Sequence, residues 1–263
     1  MKKLALVLGG GAAKGYAHVG VIKELEKNGI MPDLIVGTSM GALVGGMYAS
    51  GKTITELETL ASKFNSLGSF SLISTLFKDN ILNINNVKKI LNKELSEKTF
   101  EECKIKFVSI ATDLKTGEME KFSSGNLKDG VMASISIPGV FPRCKVNGKY
   151  YADGGIVNNL PEDVAREIMP DAVIVSVDVL GDYPNQIEHC KMKTVESLVN
   201  AITIFITNNT KNKPQIADLR LSLTMPSVSQ LDFSAKSSEK TIRKGQLYAK
   251  KHIAKIKELL KGD

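Results

Sequence analysis

The feature that most constrains the fold lies in residues 33–42, where a β-branched run leads straight into the motif Gly-Thr-Ser-Met-Gly. A helical pattern follows at once, which predicts strand, sharp turn and helix, with the hydroxyl of Ser39 at the apex of the turn. Gly37 and Gly41 flank the serine because a side chain at either position would crowd so tight a turn. Ser39 is therefore a candidate nucleophile. A glycine-rich loop with an incidental serine is the alternative.

The periodicity of the remaining chain predicts an α/β protein. Short apolar runs predict buried strands, and apolar positions at helical spacing predict helices. Strands are predicted at residues 3–8, 34–36, 105–112, 119–122, 172–178 and 219–223, a hairpin at 146–155, and helices at 16–28, 43–48, 53–64, 86–95, 126–136, 162–169, 194–208 and 236–261. The opening alternation of strand and helix favours a mostly parallel sheet flanked by helices.

Two segments have particular interest for a site. Residues 65–85 are irregular and apolar, so they form either a lid or, as we favour, a packed connection. The predicted helix at 194–208 carries an apolar stripe, which indicates a core-facing surface. The stripe consists of Leu198, Ile202, Phe205 and Ile206.

Composition limits the class of protein. The 263 residues suit a single α/β domain over 1–263, with no linker or repeat. The odd set of three cysteines argues for a reducing, cytoplasmic compartment. No metal-ligand spacing appears, so neither a metal nor a cofactor is predicted. The apolar run after Met1 is too short for a signal peptide, and no segment approaches the roughly 20 apolar residues of a membrane span.

The net charge of +7 fits an anionic partner. No basic array interleaved with aromatic residues appears, so nucleic acid is not an expected partner. The lysine-rich helix at about 236–261 could make peripheral contact with an anionic membrane, although a solvated outer face is the simpler interpretation.

The loop at residues 9–15, Gly-Gly-Gly-Ala-Ala-Lys-Gly, follows the first strand. Its spacing fits neither common phosphate-binding loop, which disfavours a nucleotide. Backbone N–H groups without side chains nearby can instead point at an anion. Beside a nucleophilic serine, that anion would be the oxyanion of acyl transfer, and losing one such donor typically costs about 3 kcal/mol. Lys14 could fix the loop or strengthen its positive field.

A nucleophilic serine needs a base, and the sequence offers four candidates. His18, His189 and His252 each lack a motif-like setting. Asp153 stands at a predicted strand end before two glycines, although a turn aspartate that caps its own backbone is the alternative. At a reference pKa of about 3.9 a carboxylate is a poor base, so burial would have to raise its pKa.

Three motifs in this order resemble the patatin-like phospholipases, and specifically their small bacterial branch. The matching segments are 9–15, 37–41 and 153–155, with supporting likeness at 111–114, 136–142 and 158–161. The resemblance implies a three-layer α/β/α fold and a Ser-Asp dyad without histidine, in which Ser39 is the nucleophile and Asp153 the base. It further implies an oxyanion hole at Gly9, Gly10 and Gly11, supported by Lys14, and an acid motif completed by Gly154 and Gly155. Lys14 replaces the arginine usual in the family, and Ala12 stands where glycine is common.

The leading hypothesis is thus a serine acyl hydrolase that acts on lipid or other carboxylic esters. The alternative is a non-catalytic protein of the same fold that binds lipid or regulates a partner. Head group, chain length and oligomeric state have no signal in the sequence.

Overall fold

The computed structural model describes residues 1–65, 84–181, 194–226, 228–230 and 232–262. Most of the segment 65–85, discussed above as a lid or a connection, lies outside the described residues, as do His189 and Cys190.

Strands and helices alternate over the first 49 residues, as the sequence pattern predicts. The strands are β1 (Leu4–Leu8), β2 (Leu34–Thr38), β3 (Lys106–Asp113), β4 (Met119–Phe122), β5 (Cys144–Val146), β6 (Lys149–Asp153), β7 (Val173–Asp178) and β8 (Leu219–Ser222). The helices are α1 (Ala17–Lys27), α2 (Met40–Ala49), α3 (Ile54–Asn65), α4 (Ile84–Leu95), α5 (Leu127–Ser134), α6 (Gly155–Asn158), α7 (Glu162–Ile168), α8 (Thr194–Asn212) and α9 (Ala235–Lys261), and a 3-10 helix at Ala12–Tyr16 precedes α1.

Within the described residues the strands form one mostly parallel sheet, in the order β5-β6-β3-β2-β1-β7-β8, with β4 paired to β3. The five strands from β3 to β8 along this order are parallel, and β4, β5 and β6 are antiparallel additions at the β3 side. The carboxyl ends of β1, β2 and β7 therefore meet at one edge, where loops from several strands can form a site.

Helices cover both faces of the sheet. Along β1, Leu6 and Leu8 belong to one apolar cluster, with α1, α2, α3 and α9, while Ala5 and Val7 belong to a second cluster with α7. This alternation is the period of two that a strand buried on both faces requires. The mixed α/β fold with a mostly parallel central sheet is confirmed.

Local sequence signals account for several boundaries. Thr53 and Glu56 form the capping box of α3, since Thr53 N–H donates to the Glu56 carboxylate at 2.8 Å and Glu56 N–H donates to Thr53 Oγ1 at 3.3 Å. Asn147 and Gly148, with φ of 48° and 81°, form the tight turn between β5 and β6.

One prediction is wrong. The stripe on α8 is not core throughout, because Leu198 is 43% exposed and Phe205 is 52% exposed, while Ile202 and Ile206 are half-buried. None of the helices in the described part of the chain has the length and apolar character that crossing a bilayer requires.

Candidate active site

Ser39 occupies a strained turn between β2 and α2. Its φ of 54° and ψ of −122° lie in a region that non-glycine residues rarely adopt. Gly41 can have no side chain, since a Cβ there would collide with the carbonyl oxygen of Leu8, and a Cβ on Gly37 would lie 2.6 Å from Gly41 O. Gly41 thus lets the turn pack against β1, and Gly37 leaves room for Gly41 within the turn.

Asp153 ends β6 and lies beside this turn. The sheet order β6-β3-β2 leaves one strand between the two residues, and Ala111 of β3 pairs with Asp153. Ser39 Oγ donates a hydrogen bond of 2.6 Å to Asp153 Oδ2, and Gly155 N–H donates one of 2.8 Å to Oδ1. A Cβ on Gly154 would meet the carbonyl oxygen of Ile110, so glycine is needed where the chain leaves β6 across β3.

The Asp153 carboxyl is buried, and burial raises its pKa to about 6, against the opposing effect of the hydrogen bonds from Ser39 and Gly155. The raised pKa that a carboxylate base requires is therefore present at the residue in contact with Ser39 Oγ.

The glycine loop approaches the serine closely, but two of its N–H groups have other acceptors. Gly9 N–H donates to Val177 O at 3.1 Å, and Gly10 N–H donates to Asn159 O at 3.2 Å. The prediction that these two amides serve as oxyanion donors therefore needs correction, because backbone pairing with neighbouring segments already uses them. A Cβ on Gly10 would lie 3.0 Å from Ser39 Cβ, so the role of Gly10 is to allow the close approach.

Three other backbone amides near Ser39 remain as candidate donors. Gly11 and Ala12 line the cavity over Ser39, and Met40 is the first residue of α2. Among the described residues, no backbone hydrogen bond between different segments uses the N–H group of Gly11, Ala12 or Met40. Ala12 adopts φ of 48°, a backbone conformation that glycine would adopt without strain.

Lys14 lies beneath the loop rather than in the cavity. Its side chain is buried, and burial lowers its pKa, against the opposing effect of Asp178 at the end of β7, while Lys244 lowers it further. Lys14 N–H donates to Gly11 O at 3.1 Å, which closes the turn of the 3-10 helix.

Neither described histidine is a partner of Ser39. His18 is fully buried with Nε2 2.7 Å from Gly9 O, and burial lowers its pKa to about 4. A carbonyl accepts, so Nε2 carries the proton of this bond. His252 lies on α9, with Nδ1 2.9 Å from Tyr248 O.

Two residues that support the site were not singled out from the sequence. Ser134 Oγ accepts the N–H of Ser39 at 2.9 Å, which helps to hold the strained turn. The side chain of Asn159 donates to Gly10 O at 3.3 Å, in addition to the backbone bond described above. Asn159 falls within the likeness at 158–161, whereas no local pattern distinguishes Ser134.

The cavity over Ser39 is small and mostly apolar. It has a volume of about 40 Å³. Its apolar lining includes Ile137, Pro138, Ile156, Leu180, Val199, Ile202 and Ile206. A second cavity of about 160 Å³ shares the walls Asn159 and Ile206. Within the described residues, no cluster of three or more His, Cys, Asp or Glu side chains could hold a metal ion.

The fold and this geometry define an α/β protein with a serine at a strained turn between a parallel strand and a helix. A sequence model of the family described as "Patatin-like phospholipase" matches residues 6–166. The chain belongs to the patatin-like phospholipase family.

Similar sequences from other organisms agree with this assignment. A patatin-like phospholipase domain-containing protein of Caenorhabditis elegans is 37% identical over 177 residues, which are 65% of this chain and 13% of that protein. An NTE family protein of Mycobacterium tuberculosis is 36% identical over 60% of this chain and 44% of its own. Lysophospholipase nte1 of Emericella nidulans is 30% identical over 88% of this chain and 15% of its own. The chain thus matches less than half the length of each.

The crystal structure of VipD from Legionella pneumophila shares the fold, with a TM-score of 0.52 and 15% identity over 97% of this chain and 67% of that one.

Proposed function

We propose that the protein is a serine acyl hydrolase that cleaves the carboxylic ester bonds of lipids, with Ser39 as nucleophile and Asp153 as general base. The observation that carries the proposal is the 2.6 Å hydrogen bond from Ser39 Oγ to Asp153 Oδ2. Membership of the patatin-like phospholipase family supports a lipid substrate, as does the name of the Emericella nidulans relative, a lysophospholipase.

In the acylation step, Ser39 Oγ attacks the ester carbonyl carbon while its proton passes to Asp153 Oδ2. The carbonyl oxygen becomes an oxyanion, which the N–H groups of Gly11, Ala12 and Met40 stabilise. Met40 contributes as the residue after the nucleophile, at the positive end of the α2 dipole. The intermediate then collapses, the C–O bond to the alcohol breaks, and the alcohol leaves with the proton held by Asp153.

In the deacylation step, water attacks the acyl carbon and gives a proton to Asp153. The second tetrahedral intermediate expels Ser39 Oγ, which takes this proton back, and the carboxylic acid leaves. The cycle balances with one ester and one water as reactants, and in each step Asp153 accepts a proton and then donates it to the leaving group.

The test compares Ser39→Ala and Asp153→Asn with the wild type on p-nitrophenyl butyrate. Both variants should lose at least about 10³-fold in kcat/KM, since each removes a group that acts in both steps. His252→Gln is the matched control and should retain full activity, because His252 lies on α9. Wild-type turnover by both dyad variants would refute the proposal, and an active Asp153→Asn beside an inactive His18→Ala would favour a Ser-His pair.

The small cavity over Ser39 favours a second candidate, a non-catalytic lipid-binding or regulatory protein. A cavity volume of about 40 Å³ is far below the roughly 300–1,000 Å³ of typical ligand pockets. A fluorophosphonate probe distinguishes the two candidates. It should label Ser39 in the wild type but not in Asp153→Asn if the serine is activated, and it should label neither if the protein only binds lipid.

The extent and location of the protein are part of the same proposal. A single patatin-like domain over residues 1–263, with α9 as its basic terminal helix, predicts one cooperative unfolding transition. A cytoplasmic location with peripheral membrane contact predicts that cell fractionation recovers the protein in the cytosol and, in part, in a salt-releasable membrane fraction.

A further inference from the structure

Helix α8 exposes three large apolar side chains, while its buried side combines Val199 with several hydroxyl groups. A surface helix of a protein in water normally turns its large apolar side chains toward the core. The buried side chains include Thr203, Thr207 and Thr210, and the exposed ones Leu198, Ile204 and Phe205. Leu198 and Phe205 lie seven residues apart and therefore share one side of the helix. The outer surface of α8 thus resembles one that contacts an apolar medium.

The same helix covers the cavity over Ser39. Val199, Ile202, Thr203 and Ile206 line this cavity from the inner side of α8. A surface in contact with the outer side would lie about one helix diameter, roughly 10 Å, from the cavity. An ester that leaves a lipid layer at this point would therefore have a short path to Ser39.

The charges around the helix favour an anionic surface. Helix α8 has one acidic residue, Glu196 near its start, and residues 197–213 contain no other Asp or Glu but include Lys211 and Lys213. Lys213 Nζ also donates to Val157 O and Asn158 Oδ1, each at 3.3 Å. At the other end, Leu198 packs against Gly139. Arg143 follows Gly139 by four residues, so it lies within about 14 Å of it. Basic side chains near both ends suit anionic head groups, while the apolar middle suits acyl chains.

The area of the patch argues against a second copy of this chain as the occupant. Leu198, Ile204 and Phe205 are 43%, 37% and 52% exposed, which corresponds to on the order of 250 Å² together. A stable protein interface buries about 800 Å² on each partner. Three partly exposed apolar side chains are sufficient for insertion into the head-group layer, where the apolar area that each buries adds to the binding strength.

We propose that the outer face of α8, defined by Leu198, Ile204 and Phe205, is the surface by which this protein docks on an anionic lipid bilayer. The proposal rests on the proposed function for the identity of the substrate, a lipid ester, but docking itself requires no catalysis. It also locates membrane contact on α8 rather than on the lysine-rich helix α9.

The docking test uses Ser39→Ala protein and sedimentation with vesicles of phosphatidylcholine and phosphatidylglycerol. Ile204→Gln/Phe205→Gln in this background should weaken vesicle affinity about tenfold or more, because it removes two of the three exposed apolar side chains. Neither of the two lines the cavity over Ser39. Glutamine is a good helix former, so the helix should persist. Leu247→Gln is the matched control, since Leu247 is 53% exposed on α9, and it should bind as the parent does.

Enzyme assays with Ser39 intact separate docking from catalysis. The double variant should hydrolyse p-nitrophenyl butyrate at the wild-type rate and lose activity only on an ester carried in vesicles. Parental vesicle binding by the double variant would refute the docking surface, and so would an equal loss on the soluble ester. A wild-type dimer that the double variant converts to a monomer, measured by analytical ultracentrifugation, would instead assign the face to a second copy. Wild-type protein that sediments with vesicles but hydrolyses neither ester would refute the proposed function and leave the docking surface intact.

Discussion

Lowering the pH from 8 to 5 should strongly reduce hydrolysis, because it protonates Asp153, the carboxylate that accepts the proton of Ser39 in the proposed mechanism. Burial raises the pKa of Asp153 to about 6, against the hydrogen bonds from Ser39 and Gly155, which favour the ionised form. Only ionised Asp153 can act as the base, so kcat/KM of the free enzyme should follow its titration.

The size of the effect follows from this pKa. With a pKa of about 6, roughly 10% of Asp153 is ionised at pH 5 and about 99% at pH 8, so kcat/KM should fall about tenfold. An aspartate at its ordinary pKa of about 3.9 would lose less than about 10% over this interval. The pKa of His18, lowered by burial to about 4, would likewise leave the rate almost flat.

The assay is the rate of p-nitrophenyl butyrate hydrolysis at constant ionic strength, read at the isosbestic wavelength of nitrophenol, with circular dichroism to verify folding at each pH. Carbon-13 NMR of the Asp153 carboxyl gives an independent value. In Ser39→Ala its pKa should rise further, because a hydrogen bond to the ionised form is lost. A rate constant within a factor of two across pH 5–8, in folded protein, would refute the link between burial of Asp153 and its role as base.

Three further predictions concern stability and packing. The folded pKa of Asp153, about 6, exceeds the unfolded value of 3.8, so its contribution to stability is fully present below about pH 4 and is lost as the pH rises through 6. Asp153→Asn should therefore raise the free energy of unfolding at pH 8 by up to about 3 kcal/mol, less the bonds it alters, and change it little at pH 4. Urea titrations at the two pH values measure this, and equal effects at both would contradict it. Gly10→Ala should lower kcat/KM on p-nitrophenyl butyrate at least about tenfold, because its Cβ would lie 2.5 Å from Asn159 Oδ1; unchanged kinetics would show that the loop can move aside. Arg220→Met should destabilise the fold by about 3–5 kcal/mol in urea at pH 7, since it removes both 2.8 Å hydrogen bonds from Arg220 to the buried carboxylate of Glu162. A loss below about 1 kcal/mol would mean that the remaining donors stabilise the Glu162 carboxylate without Arg220.

Several parts of the fold could be predicted because their causes are local. The turn at Asn147 and Gly148 requires residues that tolerate positive φ, and the capping box at Thr53 requires a hydroxyl and a carboxylate three residues apart. Both requirements are met within a few positions of the chain, so the local sequence alone indicates the structure.

The exposed face of α8 could not be predicted in this way. Apolar residues at helical spacing indicate a helix with an apolar side. The pattern does not show whether that side faces the protein core or the surface. Here the cavity over Ser39 and the bond of Thr203 to Gln230, 2.8 Å long, lie on the opposite side. The orientation of α8 is therefore a property of its tertiary neighbours.

The sequence by itself determined that Ser39 stands at a sharp turn, because Gly37 and Gly41 permit that turn locally. It also ranked Asp153 first among the candidate bases. Only the tertiary structure decided that these two groups meet, since 114 residues separate them and their contact depends on the order β6-β3-β2. Only the tertiary structure, likewise, assigned the amides of Gly9 and Gly10 to other acceptors. Hydrogen bonds between distant segments depend on how the chain packs, and no short stretch of sequence specifies that.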